Sequence, residues 1–138
     1  MLRKCLTLIF ALTTIFAFNI LNNKPIFSRY SNDFTIYVGN GGSLSKIIEV
    51  GYLGYLMQDN IKGESCSFVD SEFDLHSFLN EYGAKLVKVE CVNEQVSYYA
   101  FSPNIKYSQN LFDEKINLHV SIKNDRITVG SPLIYGSF

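Results

Sequence analysis

Between Cys5 and Leu21 the chain carries no charged residue, and this apolar run directly follows Arg3 and Lys4. Only Thr7, Thr13, Thr14 and Asn19 are conspicuously polar within it. A helix over those residues spans roughly 26 Å, at the short end for a hydrocarbon core of about 30 Å. The run therefore reads as an export signal or a membrane anchor, with membrane contact through residues 5–21. No A-x-A pattern precedes a cleavage point. Ile15-Phe16-Ala17 is a passable cut site and Ile26-Phe27-Ser28 a poorer one, so an uncleaved anchor is favoured over a cleaved signal, and both over a soluble protein with a buried N-terminal helix. Arg3 and Lys4 keep the amino end cytoplasmic under the positive-inside bias, placing the remainder outside. Cys5 lacks the preceding residues of a lipoprotein signal.

The expected organisation is a signal peptide or anchor over residues 1–21, a polar tether over 22–32 and one extracytoplasmic domain over 33–138. A chain that is 47% hydrophobic and 18% charged is too apolar for a disordered tail, so the domain should fold. From Tyr30 onward eight basic residues face thirteen acidic ones, a net charge of −5. That balance excludes the basic footprint of a nucleic-acid binder and disfavours a role lying flat on anionic lipid.

Period-2 alternation predicts strands at 34–38, 84–92, 96–102, 116–123 and 127–129, with weaker candidates at 47–50 and 64–69. Asn124-Asp125 is the turn between the last two long strands, and 106–115 supplies a further hairpin arm. Leu75, Phe78, Leu79 and Tyr82 fall at helical spacing, predicting a helix over 73–82 that starts at a Ser71/Asp74 capping box and ends at a left-handed Gly83. The fold class is α+β, a mostly antiparallel sheet with one helix packed on one face, preceded by the N-terminal hydrophobic helix.

Four features bear on chemistry. Cys66 and Cys91 both fall on strand faces read as buried; they are either a disulfide closing the loop between them or inert core thiols, with a reactive thiol the least supported. His76 sits in the helix and His119 on a strand's polar face, neither at metal-ligand spacing, so no metal or cofactor is expected; a Cys/His hydrolase using Cys66 or Cys91 with His119 is the alternative to a noncatalytic domain. Gly39-Asn40-Gly41-Gly42-Ser43 lacks the spacing of a phosphate loop and reads as a hairpin loop. Tyr98 and Tyr99 are adjacent on a strand, so one points away from the core, and with Tyr37 and Tyr107 they form the candidate binding face.

The segments Ser97-Tyr98-Tyr99-Ala100-Phe101-Ser102-Pro103, Ile116-Asn117-Leu118-His119-Val120 and Thr128 to Phe138, together with the signal-like start, resemble small uncharacterised exported proteins of clostridia and related Gram-positive bacteria. The resemblance implies a cell-envelope setting and carries over no catalytic residue. With it, the sequence predicts a membrane-tethered or secreted binding domain whose partner is an envelope protein. The Phe138 terminus is expected to pack into the fold.

Overall fold

Apolar side chains at every second position give the chain its sheet, as the periodicity predicts. The computed structural model describes residues 1–39 and 45–135. Its elements are α1 (Leu2–Asn22), β1 (Asp33–Val38), β2 (Lys46–Gly51), α2 (Tyr52–Leu56), β3 (Ile61–Val69), α3 (Leu75–Glu81), β4 (Lys85–Val92), β5 (Gln95–Phe101), β6 (Gln109–Leu111), β7 (Glu114–Ile116), β8 (Leu118–Lys123) and β9 (Arg126–Ser131). One seven-stranded sheet runs in the order β2-β1-β3-β9-β8-β5-β4 with every neighbouring pair antiparallel, and β6 pairs with β7 apart from it. The fold is α+β. The glycine-rich loop from Asn40 on and the Gly136-Ser137-Phe138 end lie outside the described residues.

The register brings Phe34, Ile36, Cys66, Val129, Ile127, Val120, Leu118 and Ala100 onto one face, where they form the core with Phe78 and Leu79 of α3. The helix is shorter than its apolar stripe suggests. Asp74, not Ser71, is its N-cap: the carboxylate accepts from the His76 and Ser77 amides at 3.2 and 3.1 Å, so the preceding residues stay non-helical. Gly83 ends the helix at φ +61, as expected, and a Cβ there would stand 2.8 Å from Asn104 Nδ2.

Two expectations are corrected here. The segment 22–32 is not a free tether. Pro25 and Phe27 are fully buried, the Tyr30 ring stacks on Phe68 at 5.0 Å, and the Phe27 amide donates to Glu64 Oε1 at 3.1 Å. Polar composition hid three apolar residues, Ile26, Phe27 and Tyr30, that find the open end of the core. The strand expected over 116–123 also breaks at Asn117. Its side-chain amide donates to the Ser102 and Ile105 carbonyls at 2.6 and 3.1 Å and accepts from the Ser102 amide at 2.7 Å, tying the 102–105 loop to the sheet.

α1 has no buried residue, and its 21 residues have a mean hydropathy of 1.9 over the most apolar window. At about 1.5 Å per residue it is roughly 30 Å long, enough to cross a membrane or to act as a signal sequence.

Candidate functional site

The opposite face of the sheet carries Tyr37, Ser65, Ser67, Thr128, His119, Ser121 and Tyr99 by the same register. Alternation alone makes this a solvated polar face. The structure covers its centre instead. Beyond β9 the chain doubles back over the sheet, the Ile134 amide donates to His119 Nδ1 at 3.3 Å, and Tyr135 stacks on Tyr37 with ring centroids 4.6 Å apart. Gly130 permits this close return, since a Cβ there would lie 2.7 Å from the Leu133 carbonyl oxygen. His119, placed by alternation on the polar face of its strand, is consequently 4% exposed and hydrogen-bonded to the returning chain.

Beside this covered zone a cleft of about 380 Å³ opens among Glu90, Gln95, Ser97, Tyr99, His119 and Lys123, with Val92 and Asn93 at its edge. β4, β5 and β8 each supply part of it. The Tyr99 and His119 rings stack at 4.5 Å and 23°, the Tyr99 hydroxyl donates to Glu90 Oε2 at 3.2 Å, and Lys88 Nζ meets Glu90 Oε1 at 2.8 Å. The β6-β7 hairpin closes one side: Phe112 meets Tyr99 edge-on at 5.2 Å and lies 3.4 Å beneath the Lys88 ammonium. Phe112 and Asp113 take φ +57 and +62, the two-residue turn that aims this ring at the sheet.

The electrostatics follow from these contacts. Burial pushes the His119 imidazole down to about 4, against the opposing pull of Glu90. Because Nδ1 accepts the Ile134 amide, the neutral ring carries its proton on Nε2. The hydrogen bond from Lys88 holds the Glu90 carboxyl below the usual carboxylate range, and burial followed by Glu90 raises the Tyr99 phenol. A neutral, stacked imidazole beside a fixed carboxylate and an ammonium is equipped to present hydrogen-bonding groups and ring surface. It is a poor general base near neutral pH, where a base works best with a pKa close to the operating pH.

The cysteines do not come together. Cys66 lies on β3 and Cys91 on β4, with β9, β8 and β5 between them. Four strand spacings of about 4.8 Å put them roughly 19 Å apart, where a disulfide needs Cα atoms within about 7 Å. Both are free thiols, Cys66 buried and Cys91 exposed on the last strand of the sheet. Burial pushes the Cys66 thiol up to about 12. His119 projects from the opposite face, so neither cysteine forms a dyad with it. His76 bonds locally to Asn80 Nδ2 at 3.1 Å on the exposed side of α3. Among the described residues no group of three His, Cys, Asp or Glu side chains is placed to hold a metal ion.

The four tyrosines do not make one surface either. Tyr99 and Tyr37 share a face with three strands between their own, Tyr98 points to the core side, and Tyr107 lines a separate cleft of about 200 Å³ with Tyr55, Lys106 and Asn23. The sequence reading missed Glu90, Lys123 and Ser97 as neighbours of Tyr99 and His119. Strand parity carried that signal: Glu90, Ser97, Tyr99, His119 and Lys123 all occupy the face opposite the apolar row.

It also missed Glu64, which is 1% exposed on the core face of β3 between Tyr55 and Phe27. The Tyr55 hydroxyl and the Phe27 amide donate to its two oxygens. Burial nevertheless raises its carboxyl above the ordinary range, against these donors.

Comparison with protein families, with curated proteins and with solved structures finds no match for this chain.

Proposed function

We propose that this chain is a membrane-tethered, extracytoplasmic domain of a bacterial cell envelope that binds a protein partner through the Tyr99/His119 cleft, without catalysing a reaction. One observation carries the reading: a 21-residue apolar helix with no residue buried against the domain stands before a fold whose own core is complete without it. A helix with no internal partner needs an apolar environment from elsewhere. Arg3 and Lys4 ahead of it set the amino end inside and the domain outside. The sequence resemblance to small exported Gram-positive proteins fits the same setting. A cut after Ala17 leaves the fold whole and makes the protein secreted, whereas a cut after Ser28 removes Phe27 from the core, so an intact anchor or the earlier cut is the form this fold supports.

The cleft supplies the recognition chemistry. Tyr99 offers ring surface at small conformational cost, Glu90 and Lys123 offer opposite charges, and Gln95 and Ser97 offer neutral hydrogen bonds. Chemical crosslinking in intact membranes followed by purification of the full chain tests the proposal. A defined partner recovered with wild type and lost with Tyr99→Ala supports it. Recovery of free protein alone, or of the same partner with Tyr99→Ala, contradicts it. Tyr99→Ala is expected to weaken binding by roughly 2 kcal/mol, as for an aromatic anchor.

A further inference from the structure

We propose that two copies of this chain associate through β4, pairing strand to strand about a dyad at Val89. β4 ends the sheet, so its outer edge has no strand neighbour among the described residues. Asn93 and Glu94 take φ +49 and +65, a primed two-residue turn, which makes Val92/Gln95 the hydrogen-bonded closing pair of the β4-β5 hairpin. Antiparallel pairs alternate from there, so Glu90 and Lys88 bond inward to β5 while the backbone groups of Cys91 and Val89 point outward. Those outward groups are what a further strand needs. The side chains agree: Val89 and Leu86 are each 47% exposed on the face where the central strands are buried, and neither joins the core cluster.

Charge selects both the occupant and the register. With the dyad at Val89, Lys88 of each copy faces Glu90 of the other, in a non-hydrogen-bonded pair whose Cα atoms lie about 4.5 Å apart. A dyad at Lys88 or at Glu90 would set like charges face to face. The Val89 pair is itself of the hydrogen-bonded kind, matching its outward amide and carbonyl. β2, the other edge, has no such symmetry, because Lys46 and Glu49 are three positions apart and project from opposite faces. Each Cys91 lies two positions from the dyad, so the two Cys91 thiols stand about 13 Å apart along the strands and do not bridge, and the regular pairing ends at the β-bulge between Leu86 and Lys88. Glu90 and Val92 also rim the Tyr99/His119 cleft, so pairing lays two clefts side by side.

The inference does not depend on where the protein resides. In the full chain with Cys5→Ser and Cys91→Ser, Val89→Cys is expected to crosslink under mild oxidation at least about tenfold more than Ile47→Cys, an equally exposed residue on β2. Lys88→Glu is expected to raise the dissociation constant about tenfold, and Lys88→Glu with Glu90→Lys to restore it. Equal crosslinking at the two edges, or unchanged association in Lys88→Glu with native circular dichroism, overturns the proposal. A monomeric mass for the wild-type full chain by light scattering overturns it independently of any variant.

Discussion

Two buried ionisable residues, His119 and Glu64, contribute to the pH response of the fold in opposite directions. His119 takes a proton readily in the unfolded chain, near pH 6.5, and reluctantly in the fold, near 4. The stability that goes with its neutral ring is therefore complete above about pH 6.5 and is lost as pH falls toward 4, to a total of about 3 kcal/mol. His119→Gln keeps an acceptor for the Ile134 amide and removes the titration. Urea midpoints at pH 7.5 and pH 5 are expected to drop less in that variant than in wild type; an equal drop contradicts the buried neutral imidazole. Glu64 is raised instead, so its protonated form is favoured in the fold and stability falls as pH rises through its folded value. Glu64→Ala leaves the Phe27 amide without its acceptor and takes from the Tyr55 hydroxyl its carboxylate partner, and is expected to cost about 3 kcal/mol, with Glu64→Gln costing less. Denaturant titration of the two variants checks the order.

At the scale of elements, the helix-to-domain junction and the end of α3 are the places where single residues decide structure. Phe27→Ala empties a fully buried site and is expected to cost about 3 to 5 kcal/mol, which a thermal melt resolves. Gly83→Ala meets both φ +61 and Asn104, and is expected to lower stability by about 1 to 2 kcal/mol. These positions also show how far sequence reads. Gly83, the Asn124-Asp125 turn and the long alternating strands were legible because each rests on a local rule of backbone conformation or period. The packing of Phe27 and the burial of His119 were not, because both depend on segments far away in sequence, β3 in one case and the returning chain after Pro132 in the other. The choice between a disulfide and free thiols at Cys66 and Cys91 stayed open for the same reason. Alternation gives the face of each strand, and only strand order tells that β9, β8 and β5 stand between them. The cleft lay half in view: Tyr99 and His119 stood out by residue type, while Glu90 and Lys123 passed as ordinary solvated charges.

For the whole molecule, an unburied apolar helix and a folded domain joined by a packed segment make one physical claim, that the helix delivers the domain across a membrane. The segment holds the domain close: beyond the end of α1 at Asn22, only Asn23 and Lys24 precede buried Pro25. The thiols provide the direct test, since Cys91 is exposed on the domain, Cys66 is buried within it and Cys5 lies near the amino end of α1. Intact cells producing the chain are treated with a membrane-impermeant maleimide, and the modified residue is located by mass spectrometry. The account predicts label on Cys91, abolished by Cys91→Ser, with Cys5 unmodified until the cells are opened. Cys91 that stays unmodified in intact cells and reacts only after lysis would place the domain in the cytoplasm and contradict it.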